Sequence, residues 1–281
     1  MQDRVERFAA GDLLKPAKAV SVKAQQVRHV DVHWHDYYEL AYVSAGAASH
    51  LINGVKHRVS RGSVFLLTPA DFHEIRADSD EPLSCYNVVI DAQLLESRLT
   101  DIFMSGSQHI PWMMSDQSAL EPDFERLWHE SREDRPGGAV MMRAVLDCIV
   151  VELGRLSPAD PNSGQASGHE GEPHDMKRAV LYVDRHFRSP LTLAGVAAQA
   201  HLSPNYFSER FREFTGTSFQ KYLLQRRLRF ARSLLASTSL GVTEICHAAG
   251  FNSLSHFGRA YRNWYGESPT DSRDSSVVAS I

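Results

Sequence analysis

At 281 residues the chain is long enough for two domains of ordinary size, because single hydrophobic cores stop growing at roughly 250 to 300 residues. Hydrophobic residues make up 43% and charged residues 23%, no apolar run reaches the roughly 18 residues of a membrane span, and the opening MQDRVERFAAGD lacks the apolar stretch of a secretory signal; these features point to a cytoplasmic protein with no membrane partner. The net charge of −4 divides unevenly: residues 175–281 hold 14 Lys and Arg against 8 Asp and Glu, a balance of +6, so a basic end of the kind that binds polyanions follows an acidic body. Cys85, Cys148 and Cys246 lie far apart and never in a CxxC pair, which argues against a disulfide framework and a zinc knuckle.

From Val30 to about Ile90 the chain reads as short strands, YYELAYVSAG, ASHLING, KHRVSRGSVFLLTP and LSCYNVVID, separated by turn residues. Within them Asn53-Gly54 marks a hairpin, since both residues tolerate the positive φ of a type I′ turn. Many short strands at this spacing predict a sandwich or barrel. His33-Trp34-His35, Glu39 and Gly46, followed by Gly62 and Pro69-Ala70-Asp71-Phe72-His73, resemble the two motifs of the cupin barrel over about Val30 to Asp91. The departures are Asp71 where a glycine is usual, a spacing from Gly62 one residue long, and Val27 in place of the leading glycine. His33, His35 and Glu39 share a parity, so a continuous strand would aim all three at one face, where with His73 they form a candidate transition-metal site. The alternative is that no cofactor is present and an organic ligand is held by hydrogen bonds and stacking, with Trp34, Tyr37, Tyr38 and Tyr42 as nearby aromatics. Residues 1–115 are assigned to this cupin-like sensor.

Two helical stretches follow, about Ser118 to Glu133 and Ala139 to Leu156, joined by Pro136-Gly137-Gly138. In the second, Val140, Val145, Ile149, Leu153 and Leu156 fall near one face, and the hairpin over 116–156 is expected to form a homodimer. Residues 157–174, rich in Ser, Gly and Pro, read as a linker, and 275–281 as a disordered tail.

Between these, over 175–274, the chain reads as helical and repeats at an offset of 50 residues: Ala198 with Ala248, Ser203 with Ser253, Phe207 with Phe257, Phe211 with Tyr261, Arg212 with Arg262, Phe214 with Trp264, Gly216 with Gly266 and Ser218 with Ser268. In each copy a short helix and a tight turn lead to a serine cap and an amphipathic helix, the arrangement that carries a recognition helix into the major groove. Phe207, Phe211 and Phe214, and in the second copy Phe257, Tyr261 and Trp264, form the predicted buried faces. The capping Ser203 and Ser253, with Asn205, Ser208, Glu209 and Arg212 in one copy and Ser255, Gly258, Arg259 and Arg262 in the other, form the predicted exposed faces available to double-stranded DNA.

Over about Met176 to Arg273 the chain resembles the DNA-binding domain of the AraC/XylS family. The resemblance is carried by Ser203, Phe211, Gly216, Phe219, Tyr222, Arg227, Ala231, Leu234-Leu235, Ile245, Gly250-Phe251, Phe257 and Gly266 with Ser268-Pro269. Departures are Glu209, where a basic or amide residue often meets DNA, and Ser272, in place of an aromatic. The resemblance implies two helix-turn-helix units joined by a long helix, a small-molecule effector bound in the cupin-like domain, and RNA polymerase as a partner. The rhamnose-responsive sugar regulators are the nearest likeness, implying a sugar effector and an activator. The expected protein is thus multidomain α+β, a cupin-like β-barrel with a helical hairpin and an all-α double helix-turn-helix; the rival reading is a metal-dependent cupin enzyme or sensor fused to a DNA-binding domain.

Overall fold

The segment Ala47–Ile52 alternates strictly between half-buried and buried residues, as a strand does when one of its faces meets a second layer, whereas Tyr38–Val43 and Val64–Leu67 are buried throughout. The computed structural model describes residues 6–9, 13–14, 19–92, 94–95, 112–133, 135–156 and 172–278. Two compact units emerge, one within Glu6–Gly168 and the other within His169–Ile281.

In the first unit the described strands are β1 (Glu6–Phe8), β2 (Val20–Val27), β3 (His29–His35), β4 (Tyr38–Ala45), β5 (Ala47–Ile52), β6 (Val55–Ser60), β7 (Val64–Leu67), β8 (Phe72–Ala77), β9 (Leu83–Ile90) and β10 (Trp112–Met114). They form one sheet in the order β1-β3-β8-β5-β6 and another in the order β10-β7-β4-β9-β2. All pairings are antiparallel except β1 with β3. The β5–β6 turn has Asn53 at φ 49° and Gly54 at φ 85°, the positive pair expected of this dipeptide. The stretch KHRVSRGSVFLLTP is two strands rather than one, divided at Arg61-Gly62, where Gly62 has φ 87°.

β4 sits near the middle of its sheet and is buried on both faces, which is why its sequence is almost continuously apolar. Ala41 and Val43 face the opposite sheet and pack with Ile52, Val59 and Ile75. Tyr38, Leu40 and Tyr42 face the other way, into a second core completed by helices α1 (Glu121–Arg132) and α2 (Gly138–Leu156). The helical hairpin is therefore a third layer of the β unit rather than a separate domain. Val145, Ile149 and Leu153, the predicted dimer stripe, are buried in this core, whereas Val140 and Leu156 are 70% and 48% exposed and do not belong to it. An amphipathic helix finds its apolar partner in its own domain when a sheet presents one, and that competition decides the outcome here.

The second unit comprises α3 (Glu172–His186), α4 (Leu193–Gln199), α5 (Pro204–Thr215), α6 (Phe219–Ser237), α7 (Val242–Ala248), α8 (Leu254–Tyr265) and α9 (Pro269–Val278). Two predicted boundaries shift: α3 begins inside the segment read as linker, and α9 continues through Val278, inside the segment read as a disordered tail. The rest of that linker, 157–171, lies outside the described residues, as do 279–281. α6 is the long helix expected between the repeats, and two side chains tie it to α3 and its end: Tyr222 donates to Asp184 Oδ1 at 2.8 Å, and Arg227 donates from Nε to Phe187 O at 2.7 Å. Gly250 turns the chain after α7 at φ 82°, and a Cβ there would lie 2.5 Å from Arg188 O, so this turn admits only glycine.

Candidate DNA-reading helices and a buried histidine cluster

The two copies superimpose element by element in sequence. α5 and α8 begin 50 residues apart, each capped by a serine whose hydroxyl accepts from the third residue onward, Ser203 from Tyr206 N–H and Ser253 from His256 N–H, both at 3.4 Å. Each ends at a glycine in the left-handed region, Gly216 at φ 72° and Gly266 at φ 80°. The caps satisfy N–H groups the helix leaves free, so Ser203→Ala should lower the stability of this unit by about 1 kcal/mol, measured by urea unfolding of the full chain.

Phe207, Phe211, Phe257 and Tyr261 are fully buried, as their spacing predicts, but Phe214 is 46% exposed and Trp264 half-buried. Both sit in the last turn of their helices. On the outward faces Asn205, Glu209 and Arg212 of α5 and Ser255, Arg259 and Arg262 of α8 are exposed; Ser208 and Gly258 are half-buried. The two caps, Ser203 and Ser253, are exposed as well. Arg259 makes no hydrogen bond or ion pair among the described residues, whereas Arg210 is engaged by Glu213 at 2.6 Å. Ser272, the departure from an aromatic, is buried and accepts a hydrogen bond from the Tyr261 hydroxyl at 2.8 Å, a partner that a buried phenol requires.

The β unit holds a different kind of site. His33 and His35 on β3, His73 on β8 and His50 on β5 belong to one sheet, and Glu39 reaches them from β4 in the other. The predicted continuous strand from His33 to Glu39 does not exist; β3 ends at His35, β4 starts at Tyr38, and Glu39 joins the cluster by facing it across the interior. His33 and His73 are directly opposed on β3 and β8 with ring centroids 4.1 Å apart. One ligand atom from each of His33, Glu39 and His73 lies within 4.8 Å of the others, and all three residues are buried. His35 Nε2 is 3.8 Å from Glu39 Oε2. His50, which the sequence reading missed, shares a 3.0 Å hydrogen bond between its Nε2 and His73 Nδ1; its alternation with Ile52 on β5 was the available signal.

Burial dominates the electrostatics here. It pushes the Glu39 carboxyl up to about 7, partly offset by a hydrogen bond from Asn87. It pushes His50 down to about 3, and His73, surrounded by imidazoles, well below the usual histidine range. The imidazoles of His50 and His73 are thus neutral near pH 7 and keep a lone pair each.

Of the predicted aromatics, Tyr37 stacks on His35 with centroids 4.3 Å apart and planes 11° from parallel. Trp34 has the opposite parity to His33 and His35 on β3 and is half-buried. Tyr38 and Tyr42 belong to the helix-facing core, and the Tyr42 hydroxyl donates to Glu121 Oε2 at 3.2 Å, so neither faces the cluster. Asp71, the departure from glycine, accepts from Thr68 N–H at 2.7 Å and from Asn53 Nδ2 at 2.6 Å and so locks two neighbouring turns together.

A helical unit with two capped, outward-facing helices, joined to a β unit with a buried polar cluster, is the architecture of a DNA-binding regulator with its own sensor domain. A family model described as an AraC-like ligand binding domain matches residues 19–146, and one described as a helix-turn-helix domain matches residues 196–275. The HTH-type transcriptional activator RhaS of Pectobacterium atrosepticum is 24% identical over 249 residues, covering 86% of each chain. Regulatory protein PocR of Salmonella typhimurium is 35% identical over 99 residues, 34% of this chain and 33% of that one. Among solved structures, the C-terminal domain of AraT, a response regulator from Geobacillus stearothermophilus, shares 33% identity over 38% of this chain and 88% of that one, with a TM-score of 0.36. The chain carries an AraC-like ligand-binding domain ahead of an AraC-type helix-turn-helix domain, the two parts of a DNA-binding transcription regulator. These relatives are regulators, which sets aside the reading of the chain as a metal-dependent cupin enzyme.

Proposed function

We propose that the chain is a transcription activator whose hold on DNA is set by a small effector, a sugar, received by the β unit. The observation that carries the reading is the pairing of two outward-facing helices with a buried polar cluster in which His73 Nε2, His50 Nδ1 and Asn87 Oδ1 have no hydrogen-bond partner. Buried polar atoms without partners are rare and mark places where a ligand or water belongs. The activator role and the sugar class draw on the likeness to RhaS, which spans most of both chains. Arg259 reads a base edge, Arg212 and Arg262 hold phosphates, and Asn205, Ser208, Glu209 and Ser255 line the groove beside them, with Ser203 and Ser253 at the helix starts. Contact with RNA polymerase then follows from activation itself.

Effector binding acts by population shift, favouring the state in which both helix-turn-helix units of a dimer reach their sites. The dimer uses the outward face of α2, where Val140, Met141, Ala144 and Cys148 are all exposed, opposite the face buried in the β unit. This strip is apolar, and the small Ala144 at its centre lets a second copy of the same helix approach closely. Sedimentation of the full chain at tens of micromolar should give a dimer, and Ala144→Glu a monomer. A monomeric wild-type chain with and without effector overturns the dimer.

The experiment for the whole reading is a thermal-shift screen of sugars followed by binding to duplex DNA at several salt concentrations. A ligand at 100 times its dissociation constant stabilises by about 2.7 kcal/mol, and phosphate contacts make affinity fall steeply with salt. A sugar that shifts melting and changes DNA affinity supports the proposal; one that shifts melting without touching DNA affinity refutes effector control.

A further inference from the structure

We propose, resting on the reading of α8 as a helix that meets base edges, that Leu254 and Gly258 form an apolar notch for the C5-methyl group of a thymine in the major groove.

Gly258 is a glycine that the fold itself does not need. It lies inside α8, where glycine lowers helix stability relative to alanine because it loses more backbone freedom on folding. Its φ is outside the left-handed region that holds Gly250 and Gly266, and a Cβ built on it would meet no atom within 4 Å. Alanine would therefore fit this position and strengthen the helix. A glycine that costs stability and relieves no crowding within the chain is accounted for by an outside group that comes close to the helix backbone.

Leu254 stands beside this gap. It is the first residue of α8 and 46% exposed, whereas Phe257 and Tyr261 are buried and Trp264 and Tyr265 half-buried. The capping is done by Ser253, so leucine has no task at the helix start. Residues four apart on a helix are neighbours, which puts Leu254 one turn before Gly258 and Arg262 one turn after it. The outward face of α8 thus carries one large apolar side chain next to one missing side chain, with Ser255, Arg259 and Arg262 around them, all exposed.

The charge of the helix selects the partner. The sequence of α8, LSHFGRAYRNWY, holds no acidic residue and two exposed arginines, which complements a polyanion. In a helix-turn-helix the early residues of the second helix meet the base edges, and Leu254 and Gly258 are its first and fifth. Most groups displayed in the major groove are hydrogen-bond donors or acceptors; the thymine methyl is the apolar one, and it matches the space that an absent Cβ leaves. At the 50-residue offset the counterparts on α5 are Pro204 and Ser208, and serine fills the gap with a polar group. The methyl preference therefore belongs to the second helix-turn-helix unit.

The test starts from duplex DNA that the full wild-type chain selects from a random pool, with each thymine then replaced in turn by deoxyuridine, which lacks the methyl group. Burial of one methyl is worth about 4-fold in affinity, so replacement at one position of the site should weaken wild-type binding by about that factor. Leu254→Ala should bind the thymine and uracil duplexes alike. Gly258→Ala should raise the urea midpoint of the chain yet weaken binding to the thymine duplex and favour the uracil one, because its added methyl occupies the place of the one removed. A role confined to the fold would move stability and DNA affinity in the same direction. A wild-type chain that selects a sequence but accepts uracil at every thymine, a Leu254→Ala variant that keeps the thymine preference, or a Gly258→Ala variant with wild-type affinity overturns the notch and leaves base reading by α8 intact. A wild-type chain that selects no sequence overturns base reading by α8 and the notch with it.

Discussion

Phe257→Ala is expected to abolish specific DNA binding by unfolding the second helix-turn-helix, while the β unit keeps its ligand response. Phe257 is fully buried on α8 and packs against Phe251, at 5.1 Å between ring centroids, and Tyr261, at 5.7 Å. Truncating such a ring removes its transfer free energy and leaves a cavity, a loss of about 3–5 kcal/mol. Whole domains are stable by only about 5–15 kcal/mol, so this is a large share. Phe214→Ala supplies the contrast. Its ring is 46% exposed, and a surface change of this kind stays within about 0.5 kcal/mol. Chemical denaturation followed by tryptophan fluorescence and circular dichroism separates the two; equal losses for both variants would contradict the packing.

The contrast shows where periodicity stops informing. The i, i+4, i+7 spacing places Phe207, Phe211 and Phe214 on one stripe, but a stripe says nothing about how much of it neighbouring elements cover, and Phe214 in the last turn of α5 stays 46% exposed. Where a residue has a local task the sequence is sufficient: Ser203 and Ser253 cap, Gly216 and Gly266 adopt positive φ, and Asn53-Gly54 turns, all from chemistry confined to a few residues. The 50-residue repeat made the helical unit legible because each agreement checks another. The fate of α2 was not legible, since Val145, Ile149 and Leu153 look the same whether a partner chain or their own sheet covers them.

The histidine cluster was half legible. Parity correctly aimed His33 and His35 together, because both lie on β3. Glu39 arrives from the other sheet, and its place beside His73 depends on two strands facing each other across the core, a tertiary fact no strand pattern encodes. His50 went unnoticed for the same reason: its role is to hold His73, and the pairing of β5 with β8 that brings them together spans 23 residues of sequence. The early strand β2 was passed over because its polar positions, KAQQ, mask the buried Val20, Val22 and Val27.

Arg259→Ala is expected to relax sequence preference at one base position of the operator, with a loss of about 1–3 kcal/mol against the preferred sequence. Arg259 is exposed on α8, six residues past the cap Ser253 and on the face opposite Phe257 and Tyr261. With no partner to release among the described residues, its guanidinium can give two parallel hydrogen bonds to guanine O6 and N7, a geometry lysine cannot copy. Arg262 lies about one turn further along, at the end of the helix, where a phosphate is the nearer target. The counterpart of Arg259 on α5 is Glu209, also exposed, which can accept from a cytosine amino group but cannot make the guanine contact. The two helix-turn-helix units should therefore read unlike half-sites despite their common frame. Binding of the variant to operators altered one base at a time decides the matter: a preference lost at a single position assigns base reading, whereas a uniform loss with a shallower salt slope assigns Arg259 to phosphate.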